Sequence, residues 1–200
     1  MRRFARTFIN DIVIQQRNRL YEIGIGVAVI TAFLLSMILE PGQVSESMPA
    51  LLLLVIGGST LMYVGGMILF EKGEGTLGAT IVTPVRDSEY LVSKVSSLSL
   101  LATAEATVLV ICSLLFVNGL GSPLPRIGVF LLGALSMGVM YTLIGIILVV
   151  RYKSVTEFLV PILFVAVGLQ APAIYFSGLW EHPLFLLIPT APPTLILRGA

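Results

Sequence analysis

The chain has 200 residues, of which 56% are apolar and only 12% charged, with a mean hydropathy of +1.00 and a formal net charge of +1. Soluble domains carry about twice that share of charge, so this is a membrane composition, and its near-neutral balance leaves no electrostatic footprint for nucleic acid. With Cys112 the single cysteine and His182 the single histidine, an internal disulfide and a histidine metal cluster are excluded, and we expect no metal and no cofactor.

Residues 1–19 are too polar to supply the apolar core of a cleavable signal peptide. Phe4, Ala5, Phe8, Ile9, Ile12 and Val13 recur at helical spacing on one face, with Arg3, Arg6, Thr7 and Asn10 on the other. That pattern predicts a helix lying in the lipid interface. A membrane-crossing helix needs roughly 20 apolar residues. Five runs qualify: residues 20–39, 48–70, 95–117, 127–150 and 158–176. In the second, Gly58 and Gly65 lie seven apart, as do Ser59 and Gly66, which predicts close approach of a neighbouring helix. In the fifth, Pro161 falls near the start, where a missing N–H matters least, and Pro172 should kink or end the helix.

Beyond residue 176 the tail reads SGLWEHPLFLLIPTAPPTLILRGA. Its two short apolar pieces, parted by Pro189, Pro192 and Pro193, cannot span. We expect residues 178–200 to form a re-entrant hairpin in the outer leaflet, with Trp180 in the aromatic belt. Ten of the 12 lysines and arginines fall in the N-terminal segment or in the connections after the second and fourth runs. The positive-inside rule makes that side cytoplasmic. The chain is thus expected to be an all-α, multi-pass protein of the plasma (inner) membrane with a cytoplasmic N-terminus.

One connection is unlike the others. Residues 70–95, FEKGEGTLGATIVTPVRDSEYLVSKV, hold seven of the chain's 23 charged residues between two apolar runs. A connection needs only a few residues, so this charged island calls for an explanation. Residues 74–82 can form a short helix with Leu77 and Ile81 one turn apart. Thr83 and Pro84 read as the N-cap and first residue of the next helix, Asp87 and Glu89 suit its early turns, and Lys94 can snorkel to the head groups. Glu71 and Glu74 would be repelled by an anionic inner leaflet, so the expected contact is a soluble protein.

Glu105 lies inside the third run, at a cost of about 2.5–3.5 kcal/mol on insertion scales. Two readings stay open: an acid that meets a substrate in a cavity, or a hydrogen-bonded glutamate between helices. Ser96, Ser99, Thr103 and Thr107 share a different face of that helix, and either face can line a pathway. Glu22 is near enough to Arg19 and to water to need no functional role.

The island resembles the signature of ATP-binding-cassette type-2 (ABC-2 type) transporter permeases. The matching residues are Glu71, Glu74, Gly75, Thr76, Leu77, Thr83, Pro84, Tyr90, Leu91 and Lys94, in the family's order and spacing. The tail LIPTAPPTLILRGA is similar to the drug-export branch, the members resembling fluoroquinolone export permeases. The resemblance implies one permease domain over residues 1–200. It implies that residues 71–94 form a coupling helix docked on a separate ABC ATP-binding subunit through Glu71, Glu74, Gly75, Thr76, Leu77, Thr83 and Pro84. A second permease subunit, identical or not, would complete the pathway. The cargo would be a hydrophobic or amphipathic small molecule, with Glu105, Thr103 and Thr107 as cavity candidates. The chain would not be an enzyme: it has no G-x-x-x-x-G-K-[ST] loop for ATP, which the partner would hydrolyse. Family members have six spans, and the sixth would begin where this sequence ends, at Ala200. The alternative class is a secondary carrier or intramembrane enzyme without an ATPase partner. A carrier would show matching halves and an enzyme clustered Asp, His or Ser, and neither pattern is visible.

Overall fold

The computed structural model describes residues 2–75, 86–119 and 125–200. Among these residues there are helices and connecting turns but no strand. Among the described residues four helices are long and apolar enough to cross a membrane, or five if the first two count as one bent span.

Helix α1 (Arg2–Arg17) meets α2 (Leu20–Ser36) at a 60° bend. Arg19 takes the hinge in left-handed backbone, φ 57°, a conformation that costs a non-glycine residue roughly 1–2 kcal/mol. The break falls where the sequence places the end of the interfacial helix. Helix α2 has 17 residues, about 26 Å at 1.5 Å per residue, and is shorter than the expected run. Helix α3 (Gln43–Gly73) is 31 residues long and outlasts the apolar run at both ends. Its end is a glycine stop: Gly75 adopts φ 72° and its N–H reaches Lys72 O, as a left-handed C′ residue does. The expected short helix therefore does not begin at Glu74, and residues 76–82 lie outside the described residues.

Helix α4 (Asp87–Ser113) starts in front of the third apolar run, as the acids of its first turn suggest, and continues as a π-turn through Leu114–Asn118. Arg86, in extended backbone, is its N-cap, and Glu89 accepts from the Arg86 N–H at 3.1 Å, half of a capping box. That start lies beyond the expected cap at Thr83; Thr83 and Pro84 are not among the described residues. Helix α5 (Ile127–Val149) coincides with the fourth run. Helix α6 (Val155–Gln170) is capped by Ser154, contains Pro161, and stops before Pro172, which opens the short α7 (Pro172–Phe176). The tail forms a 3₁₀ turn at Pro183–Leu187 and then α8 (Ala191–Arg198).

Helix α4 packs against α1, α2, α3 and α5, and α3 packs in turn on α5, α6, α7 and α8. Where lipid competes equally for apolar surface, helix association rests on close fit, and glycines supply it. A Cβ on Gly57 would lie 2.5 Å from the Tyr141 ring, and one on Gly65 2.3 Å from Phe158. Gly65 is thus an approach point, as its spacing predicts, whereas its partner in that role is Gly57 rather than Gly58. At Gly138 the obstacle is backbone, with Ser99 Cα at 3.1 Å, so α4 itself would have to move. Gly138→Leu is expected to cost about 1–3 kcal/mol by overpacking, read as a lower unfolding midpoint in detergent. Gly128→Leu, which meets nothing within 4 Å, is the control.

Candidate functional site

The two flanks of the island meet at one end of the bundle. Lys94, near the start of α4, is 1% exposed. Its Nζ lies 2.7 Å from Asp11 Oδ1 of α1 and also pairs with Glu71 Oε1 of α3. Ser93 donates to the other Asp11 oxygen, Tyr90 OH donates to Glu71 Oε2 at 2.8 Å, and the Tyr90 ring lies 5.3 Å from the Lys94 ammonium. One turn on, Gln15 Nε2 donates to Ser97 Oγ at 3.0 Å. Lys72 leaves α3 in another direction and donates to Val150 O at 3.1 Å and Tyr152 O at 2.9 Å, at the end of α5. Beside this cluster opens a polar cleft of about 540 Å³, lined among others by Asn10, Asp11, Arg17, Glu71, Glu74 and Lys94.

This geometry revises two expectations. Lys94 does not snorkel outward: two carboxylates and a tyrosine face hold it inside, where an unpaired ammonium would be costly. Glu71, expected on the partner-facing surface, turns inward to Lys94 and Tyr90, whereas Glu74 and Gly75 are exposed. Thr76, Leu77, Thr83 and Pro84 fall outside the described residues. The sequence reading missed the gathering of Asp11, Tyr90 and Ser93 around Lys94 and Glu71, and the separate reach of Lys72 to the end of α5. A signal existed: Asp11 and Gln15 lie i, i+4 on α1, away from the exposed Ile9 and Val13, so that helix had a polar stripe to bury.

Glu105 is also 1% exposed, but deep between helices. It accepts from Ser59 Oγ at 2.8 Å, and a Cβ on Gly24 would come within 3.5 Å of it. It therefore faces α3 and α2. The opposite face is buried too, with Ser99 against Gly138. Thr103 and Thr107 share that face with Ser99 but are only half-buried, and their hydroxyls donate to backbone carbonyls one turn back, at 2.8 and 2.7 Å. The three candidates do not converge on one cavity. Glu105→Ala is expected to lower stability by about 1–3 kcal/mol by removing a buried side chain and its bond from Ser59, whose hydroxyl keeps Ile56 O as an acceptor. Glu105→Gln keeps an acceptor and should cost less, which thermal unfolding in detergent will compare.

At the far end of the bundle, α2, α3, α6 and α7 bound an apolar groove of about 560 Å³, lined among others by Leu39, Ala50, Leu54, Val167, Gln170 and Ile174. Within its lining Gln170 donates to Leu54 O at 3.1 Å. The tail closes over the neighbouring face. Thr190 Oγ1 donates to Leu169 O at 2.6 Å, Leu197 fills the space at Gly133, and Ala200 O accepts from Arg126 N at 2.8 Å.

The family model for fluoroquinolones export permease proteins matches residues 2–200. Two curated proteins from two strains of Mycobacterium tuberculosis, each named as a fluoroquinolones export permease protein, are 39% identical to the chain over 140 residues. The match covers 69% of this chain and 56% of each relative, so the chain spans about half the length of the curated relatives it matches. No solved structure matches. A multi-pass helical architecture, the ordered signature residues of the island and the full-length family match agree, and the chain belongs to the fluoroquinolones export permease protein family.

Proposed function

We propose that the chain is the membrane permease of an ATP-driven exporter that moves a hydrophobic or amphipathic small molecule of drug-like size out of the cytoplasm. A separate ABC ATP-binding subunit supplies the energy, and a second permease subunit completes the pathway. The observation that carries this reading is the way the island is held. Glu71 and Lys94 fasten its two flanks into the bundle, while Glu74, Gly75 and Arg86 between them stay exposed. A segment tied at both ends, with exposed residues beside each tie, is built to be pushed. Glu74, Gly75, Thr76, Leu77, Thr83 and Pro84 are its contact residues, and Glu71 acts from behind them as an anchor. The chain itself hydrolyses nothing.

The far-end groove is the cargo site of this reading. Its size suits a small ligand, and its apolar wall with a few polar groups is the usual lining of such sites. Glu105, Thr103 and Thr107 belong to the helix contacts rather than to the groove. The positive-inside rule places the island end and the N-terminus in the cytoplasm. Helix α1 then lies in the inner interface, with Ile9 and Val13 toward lipid and Asp11 and Gln15 toward the bundle. The tail enters the outer leaflet as far as Thr190 and returns along α5.

Inverted vesicles containing the permease with its ATPase are expected to accumulate a fluorescent fluoroquinolone when given ATP, and not when given a non-hydrolysable analogue. Equal uptake with both would sink the exporter reading. For the tail, cysteines at positions 182 and 198 in a Cys112→Ser background should both react with an impermeant maleimide from outside. Labelling of position 198 from the cytosol alone would mean that the tail crosses the membrane.

A further inference from the structure

Glu71 and Lys72 are consecutive residues at the end of α3, with opposite charges and separate destinations. Glu71 pairs with Lys94 and accepts from Tyr90, and Lys94 passes the link to Asp11 of α1. Lys72 donates to the carbonyls of Val150 and Tyr152. An ammonium there satisfies the open acceptors of a helix end and complements its dipole. The link continues: the Tyr152 ring stands edge-on to Phe158 at 5.7 Å, and Phe158 fills the hollow that Gly65 leaves in α3. Successive side chains on a helix point about 100° apart, so one helix end can grip two neighbours at once.

We propose that Glu71 and Lys72 form a two-way tether. They are positioning residues that divide any displacement of the segment leaving α3 at Glu74. Glu71 passes it to α1 and α4, and Lys72 passes it to the turn between α5 and α6. The meaning of the tether for transport rests on the exporter reading; the tether itself needs no partner.

The test uses the full chain in a Cys112→Ser background, reconstituted in lipid, with spin labels on two cysteine pairs. One pair is Gly73→Cys with Lys153→Cys, the other Gly73→Cys with Ser88→Cys. All three positions are exposed, and a Cβ at Gly73 meets nothing within 4 Å. Lys72→Met is expected to broaden the 73–153 distance distribution and leave 73–88 unchanged, with Lys72→Arg restoring it. Glu71→Ala should do the reverse, and Glu71→Gln, which keeps an acceptor, should stay narrow. A general loss of packing would loosen both pairs together. If each variant loosens both pairs, or neither, the tether is wrong. In membranes with ATP-driven export, both loosened variants should also export less per ATP hydrolysed, and unchanged export per ATP would overturn the division of movement. Absence of ATP-driven export in the unsubstituted protein would instead count against the exporter reading and leave the tether standing.

Discussion

Lys94→Met is expected to be the most damaging single substitution in the protein. It removes the ammonium that pairs with both Asp11 and Glu71 and leaves their carboxylates without it in a site where Lys94 was 1% and Asp11 3% exposed by side chain. Breaking a buried pair from one side costs about 3–5 kcal/mol, because a charge stays behind without compensation. In a chain of this size that lowers the unfolding midpoint by roughly 10 °C or more. The neutral triple variant Asp11→Asn, Glu71→Gln, Lys94→Met separates charge from packing. Removing all the ions together is often close to neutral for stability, so the triple should recover most of the loss. Fluorescence-detected size exclusion after heating reads both variants. A stable Lys94→Met protein would mean that the cluster is not the one described, and a triple as unstable as the single would assign the cost to packing.

The spans were legible because the bilayer is an unforgiving solvent. Each unpaired charge in it costs several times what an exposed one costs in water, so the apolar runs mark four of the five helices within a few residues. The glycine spacing of α3 carried the packing in outline, and Gly65 sits where it predicts. The finer choice of Gly57 over Gly58 depends on which neighbour brings Tyr141, and a single helix does not encode that. The island's charges were equally visible, but their directions were not. Glu71 lies near the end of α3 and Lys94 near the start of α4, a pairing that spacing alone permits. Asp11 arrives from a third helix, which a 60° bend at Arg19 sets apart from α2. For the same reason Lys94 read as a snorkelling residue: its side chain is long enough for either fate, and the acids that decide it are remote in sequence. Glu105 stood out in the sequence by its place inside an apolar run, and it is buried. Its partner, Ser59, was noted only for its small size.

The most direct measurement of the central claim concerns the island. Tagged full-length permease, purified gently from its native membrane, should bring with it an ABC ATPase whose hydrolysis is sensitive to vanadate. Leu77→Asp puts a charge into the apolar part of the proposed contact, and Glu74→Lys reverses an exposed acid beside it. A central contact of that kind is worth about 2–4 kcal/mol, so retention of the ATPase should fall by at least roughly thirtyfold. Glu74 is exposed at the end of α3 and Leu77 follows it in the sequence, and neither change touches Asp11, Glu71 or Lys94, so the unfolding midpoint should not move. Loss of the ATPase with an unchanged midpoint is the predicted result. An ATPase that stays bound to both variants, or that never accompanies the unsubstituted protein, would contradict the account.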